Sequence, residues 1–306
     1  MRRILPPRRA TPSATMAAEP MRAASLSARA AGAAGAAGAA LALVAALGCT
    51  SVDAVIESAG DDAVLVEADL DPAELAARID EIDALWREPR SVERVTASLD
   101  LAVRSVSSRN HHAAAWRAVR ACAWLGRHHD EREARLEASA RGIALGKAAV
   151  ELSRAKRVRP HAARDAEPNY FLALAMGAYC EEKGTCDTSF VRAMHDRASA
   201  ARMAEPGLDH CGPARFLGKL IVETADYPGY ALGDLEDGVA LLREALAACP
   251  DFPENALFLA EALIELGDDD EARALIERVL ASRAPSDHSA EHGEWIARAR
   301  ELAGER

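Results

Sequence analysis

The chain has 306 residues, room for one or two domains; half of them are apolar, and its formal net charge is −11. Without the six arginines and one glutamate of residues 1–48 the net charge falls to −16. So acidic a surface repels phosphate backbones, which argues against a nucleic-acid partner.

The first segment reads as a targeting sequence rather than as part of the fold. Arg2, Arg3, Arg8, Arg9, Arg22 and Arg29 make it basic, and Ala30 to Gly48 then carries no charge before Cys49. Counting from Met21 gives a basic region, an apolar region and a cleavage site of normal proportions; Met1 and Met16 are the other candidate starts. The stretch "ALGC" (Ala46 to Cys49) resembles the lipobox of bacterial lipoproteins, with Ala46 where that pattern usually has Leu. The resemblance implies a signal peptide over 1–48 and a diacylated Cys49 that tethers the mature chain to a membrane through buried methylenes. An ordinary secretory signal cut at the same place, or an uncleaved anchor, are the other readings, and all three put residues 50–306 outside the cytoplasm. Residues 49–70 lack helical periodicity and read as a tether. Thr50 stands where an aspartate tends to retain lipoproteins in the inner membrane, which favours the outer membrane.

From Asp71 to Pro285 nearly everything has helical periodicity, and nothing alternates with a period of two. "DPAE" sets an N-cap at Asp71, Pro72 at the first helical position and Glu74 at the third. Leu75, Ile79, Ile82 and Leu85 trace one face, and Pro89 stops that helix. Val92, Val95, Leu99, Ala102, Val103 and Val106 trace the next. A second hairpin starts near Ala113, carries Trp116, Val119 and Ala123 inward, turns around Gly126 and returns through Glu131 to Ala155. A third carries Tyr170, Leu174, Met176 and Gly177, turns at Gly184 and returns from Phe190 to Met203. The fourth runs from Pro213 to Pro250 and the fifth from Pro253 to Pro285, leaving 286–306 as a helical C-terminal tail. The last two units repeat at a step of 34 residues: Gly233/Gly267, Leu241/Leu275, Leu242/Ile276, Ala245/Val279 and Leu246/Leu280. "ETADYPGY" (Glu223 to Tyr230) lengthens the loop of the fourth.

That step, with small Ala260 and Ala272 where two helices approach closely and Gly267 at the turn, resembles the tetratricopeptide repeat. The expected fold is all-α, a right-handed solenoid of about five hairpins whose first helices line a concave side. The chain also resembles TatT proteins, the tetratricopeptide-repeat T components of a class of TRAP transporters. "AAWRAVRACAWLG" (Ala114 to Gly126), "GIALGKAAVEL" (Gly142 to Leu152), "EPNYFLALAMG" (Glu167 to Gly177), "CGPARFLGKL" (Cys211 to Leu220), "GDLEDGVALLREALAACPDFPEN" and "AEALIELGDDDEARALIERVL" follow that family's order over roughly Asp69 to Ser282. The resemblance implies a periplasmic lipoprotein that forms a homotrimer with a central pore, meets a periplasmic solute-binding protein and helps a small organic solute reach a permease. The chain departs from the family in having few Trp and His in "NYFLALAMGAY" and in carrying Cys180 and Cys186.

Chemistry is harder to place. His111/His112 and His128/His129 are adjacent pairs, which a helix points about 100° apart. His288 and His292 are four apart with Glu291 between, but fall in the polar tail, so no metal or cofactor is expected. "DHC" (Asp209 to Cys211) puts a base type beside a nucleophile type with nothing to aim one at the other. No phosphate-cradling loop or serine elbow occurs, and the chain is not expected to be an enzyme. In an oxidising compartment Cys180 and Cys186, in "CEEKGTC", can close a small loop, and Cys211 with Cys249 is a second candidate pair. Cys122 reads as a small buried residue.

The binding candidates come from the repeat phase. Arg215 and Lys219 lie one helical turn apart on the concave side, where they can offer cations to a carboxylate; the alternatives are a solvated face or an intersubunit ion pair. Tyr170 and Asn255 sit at hairpin starts, where a polar side chain binds a ligand or satisfies a neighbouring backbone group. Two functions remain: an accessory of a TRAP-type transporter, or a generic scaffold lipoprotein that organises proteins at the outer membrane.

Overall fold

The computed structural model describes residues 70–304, apart from 88, 107–111, 156–165, 228 and 230–231. The proposed signal, Cys49 and nearly all of the tether lie outside the described residues. Among the described residues the chain forms eleven α-helices and no strand: α1 Pro72–Trp86, α2 Val92–Arg104, α3 His112–His128, α4 Arg132–Ala155, α5 Ala166–Lys183, α6 Thr188–Ala204, α7 Leu208–Thr224, α8 Leu235–Ala248, α9 Pro253–Leu266, α10 Asp269–Leu280 and α11 Ser289–Leu302. It is an all-helical repeat solenoid, as the spacing predicts.

The helix starts follow from local chemistry. Asp71 Oδ1 accepts from the amides of Ala73 and Glu74 at 2.8 Å each, satisfying two donors that a helix start leaves without partners. Asp234 and Asp237 form a reciprocal capping box at α8, and Asp187 caps α6. Pro253 opens α9, which ends at Gly267 with φ 86°, a left-handed conformation that costs glycine nothing.

Each odd-numbered helix from α1 to α9 packs against the next helix in the chain, and the odd helices also touch one another in the order α1, α3, α5, α7, α9, as stacked hairpins require. One apolar core runs through the first three hairpins into α7, from Ile82 and Val95 to Leu217 and Leu220; a second joins the last two hairpins to α11 through Leu242, Phe258, Leu263, Val279 and Trp295. Small residues set the closest approaches. At Gly218 a Cβ would sit 2.8 Å from the Gly238 carbonyl oxygen, and at Gly238 it would sit 3.0 Å from that of Gly218, so α7 and α8 meet backbone to backbone.

One expectation needs correction, and a second gains its contacts. Gly126 is not at the turn of the second hairpin: α3 continues to His128, and Gly126 is buried where a Cβ would lie 2.2 Å from Ser139 Oγ. Its smallness serves the α3/α4 contact. The C-terminal segment is helical, and it packs back on the solenoid. Trp295 and Ala299 are buried against α9 and α10, and the other side of α11 reaches the far end of the solenoid. Glu291 accepts from Arg90 at 2.9 Å and from the Trp124 indole at 2.7 Å, and Glu294 lies 3.1 Å from His128. Arg90 also donates to the carbonyl of Asp287. A helix whose apolar face caps the last hairpin thus grips the first two with its acidic face.

Candidate functional site

Because α11 lies over the odd-numbered helices, the concave side is reduced to a recess of about 80 Å³, room for roughly five to eight waters. Trp86, Trp124, Phe171, Phe216, Phe258 and Trp295 supply its apolar walls, and Arg120, Arg127, Arg215, Asp209, Glu254, His288, Glu291 and Glu294 its charges.

Most of these charges are already committed. Arg120 stacks on Trp86 (4.2 Å) and donates to Asp83 at 3.0 Å; burial pulls it down to about 10 against the pull of Asp83, which leaves it charged at neutral pH. Arg215 sits at the centre of the largest network. It reaches Glu254 (2.9 Å), Asn255 (3.0 Å), the Asp209 carboxylate (3.2 Å) and the carbonyl of His210 (3.0 Å), and lies over the Phe252 ring at 4.8 Å. Tyr170 completes it by donating to Asp209 at 2.6 Å. Burial pushes the Asp209 carboxyl up, but His288, Arg215 and Tyr170 outweigh it and hold it well below the usual carboxylate range. For Tyr170, burial and the Asp209 charge both act upward and keep the phenol protonated.

Arg127 differs. It follows Trp124 by one turn of α3, lines the recess, and no described residue accepts a hydrogen bond from it or ion-pairs with it. Burial works against its charge, yet the fields of Glu254, Glu181 and Glu294 prevail and hold it above its ordinary range. A permanently charged guanidinium in an aromatic recess, with its donors unclaimed, is the arrangement that takes up a carboxylate.

The start of α7 is strained. Asp209, His210 and Cys211 have φ of 50°, 53° and 65°, three non-glycine residues in the left-handed region, at a cost of roughly 1–2 kcal/mol each. The network holds them there: Arg215 and Asn255 donate to their carbonyls, and the His210 ring stacks on Phe252 at 4.4 Å. The structure also joins Cys211 to Cys249, with Cα atoms 6.1 Å apart.

Residues 230–290 match the family model of the tetratricopeptide repeat. That stretch resembles a tetratricopeptide repeat. It spans α8 to α10, and the first three hairpins lie outside it. Tetratricopeptide repeats are typically non-enzymatic surfaces for protein partners, and their stacking generates extended concave faces. No curated protein matches the chain.

The tetratricopeptide phase locates the binding candidates but not their environment. Arg215 and Lys219 do face inward, yet they are only 4% and 7% exposed and are paired within the chain, so the solvated-face reading does not hold. Lys219 donates to Glu261 at 2.6 Å, lies 3.5 Å from Glu223 and sits over the Phe258 ring; Glu261 in turn holds Arg298 of α11. Tyr170 and Asn255 join the Arg215 network, where Asn255 donates to the carbonyls of Ala245, Cys249 and His210. Cys180 and Cys186 are bonded to each other, and Cys122 is buried with its thiol pushed up to about 12 by desolvation. His292 meets Ser282 instead of sharing a ligand with His288. Arg127 and Glu254 escaped the sequence reading, which weighed Asp209 only beside Cys211 and Glu291 only between His288 and His292; the spacing of Trp124, Arg127 and His128 on one face of α3 is the signal that could have found Arg127.

One member of the Lys219 cluster carries a pH prediction. Both Glu223 carboxylate oxygens are buried without a hydrogen bond, and its carboxyl is pushed up to about 7, first by burial, with Glu181 adding to the rise and Lys219 opposing it. Between its ordinary 4.5 and about 7 the unfolded chain has released this proton while the folded chain retains it, so stability falls as pH rises through that window. Glu223→Gln removes the fall. Its urea midpoint should exceed that of the parent at pH 8 and converge with it near pH 4; an equal offset at both pH values refutes the assignment.

Proposed function

We propose that the protein is a lipid-anchored periplasmic accessory of a TRAP-type solute transporter, one that holds a small organic carboxylate on its concave side and docks a solute-binding protein. The observation that carries the ligand half is Arg127, charged, unclaimed and set among aromatic rings in a small recess. A recess of this size suits a short carboxylate better than an extended peptide. With α11 lying over the groove, this weighs against a scaffold that clasps peptides there. The transporter half rests on the order of the repeat segments and on the "ALGC" stretch, with Cys49 as the lipidated residue. A homotrimer follows from the same likeness.

Calorimetric titration with short mono- and dicarboxylates tests the ligand half. Arg127→Met should weaken the best binder about 10- to 100-fold, the value of one or two hydrogen bonds to a charged group. An unchanged affinity would remove the carboxylate reading. Sedimentation of the purified 50–306 fragment, alone and with a candidate solute-binding protein, tests the assembly. A trimer that captures the partner supports the transporter reading, and a monomer that ignores it leaves the scaffold.

A further inference from the structure

The left-handed turn at the start of α7 and the loop before α11 bring together side chains that are 77 residues apart. His210 Nε2 lies 2.7 Å from Asp287 Oδ2, and His288 Nδ1 lies 3.3 Å from Asp287 Oδ1. One ligand atom each from His210, Asp287 and His288 fall within 4.8 Å of one another.

The tautomer of His288 gives this cluster its meaning. Its Nε2 is 3.2 Å from Asp209 Oδ1, a carboxylate that only accepts, so Nε2 carries a proton. In the neutral ring Nδ1 is then a lone pair, and it is buried without a hydrogen bond. Facing it at 3.3 Å is Asp287 Oδ1, a carboxylate oxygen with lone pairs of its own. Two lone-pair atoms facing each other call for a positive charge between them, either a proton on the ring or a bound cation.

We propose that His210 Nε2, His288 Nδ1 and the Asp287 carboxylate form a binding site for a divalent transition cation, with Zn²⁺ as the reference ion. Two nitrogens and one oxygen make a donor set that zinc accepts, with a coordination position left open. Zinc binds such atoms at about 2.0–2.2 Å, which sets tetrahedral neighbours about 3.4 Å apart. The distances of 2.7 and 3.3 Å both lie below that value, the second within about 0.1 Å of it, so the first must open slightly to admit an ion. Asp209 fills the role of the carboxylate that fixes the tautomer and orientation of a ligating imidazole. The Phe252 stack holds the His210 ring, and Asp287 and His210 are open enough to solvent for an ion to enter, with side chains 56% and 39% exposed. The left-handed backbone at His210 also acquires a purpose, since strain of this kind concentrates where a side chain must be aimed. This inference stands apart from the transport reading, because none of its ligands is Arg127.

The test uses the full chain stripped with a chelator, with Zn²⁺ followed by calorimetry and Co²⁺ by its visible absorption. The proposal expects one Zn²⁺ per chain and Co²⁺ bands typical of few-coordinate nitrogen and oxygen ligands. Asp209→Asn should weaken Zn²⁺ binding by roughly 10- to 100-fold, as loss of an outer partner does, and His210→Ala and Asp287→Asn should weaken it more. His195→Ala, at an imidazole on α6 that belongs to no part of the cluster, should change nothing. Circular dichroism of each variant separates lost ligands from lost folding; the exposed Asp287→Asn is the variant least able to disturb the fold. No Zn²⁺ uptake by the parent chain, or uptake that survives both His210→Ala and Asp287→Asn in folded protein, overturns the proposal and leaves His288 as an imidazolium bridging two aspartates.

Discussion

Arg215→Met is expected to cost about 3–5 kcal/mol of folding free energy, the usual consequence of removing one partner from a buried ion pair. The loss does not come mainly from a favourable bond. It comes from what remains: Glu254, itself 7% exposed, is left without its guanidinium, and Asp209 keeps only Tyr170 and His288. The left-handed carbonyls of Asp209 and His210 also lose their Arg215 donors. Urea denaturation measures the loss. The double variant Arg215→Met/Glu254→Gln should regain part of it, because the stranded carboxylate is then neutral, whereas Arg215→Lys should fall between the parent and methionine, since an ammonium cannot serve Glu254, Asp209 and Asn255 together. A methionine variant within about 1 kcal/mol of the parent would show that the network is not what holds the turn.

Truncation after Pro285, which removes α11, is the second large effect. Trp295 alone is worth about 3–5 kcal/mol as a buried aromatic, and its loss uncovers Phe252, whose ring lies 5.1 Å away. The more telling consequence is remote. With Glu291 gone, Arg90 and Trp124 lose the carboxylate that ties the first two hairpins to the last. Hydrogen exchange should therefore quicken in α1 and α3 as well as in α9 and α10. Exchange that quickens only in α9 and α10 would reduce α11 to a local cap.

What was legible in the sequence is what depends on nearest neighbours along the chain. Asp71 before Pro72, Pro253 at the start of α9 and the left-handed Gly267 after it each act within one turn, and the 34-residue step reports packing between consecutive hairpins. What stayed hidden depends on distant contacts. Nothing in "DHC" marks three left-handed residues, because the usual sign, glycine, is absent; the conformation is held by Arg215 farther along α7 and by Asn255 and Phe252 at the start of α9. The polar composition of 286–306 suggests a helical tail but not what it packs on, because Glu291 and Glu294 look like solvated charges until their partners at Arg90 and His128 are known. Arg215 and Lys219 could be placed on a face but not assigned an environment, since burial of a cation is decided by the acids opposite, Glu254 and Glu261, on the next hairpin.

The bridge from α11 to Arg90 and Trp124 also alters what kind of object the repeat stack is. An unclasped solenoid behaves as a spring: it stretches and twists with little resistance, and hairpins can be added or dropped because each one answers only to its neighbours. Clasped end to end, this stack is closer to a hoop. Pulling its ends apart must first break Arg90 from Glu291, and inserting or deleting one hairpin would carry α11 out of reach of its partners. Growth by repeat duplication, the ordinary route by which such proteins diversify, is closed to this chain unless the clasp is lost first.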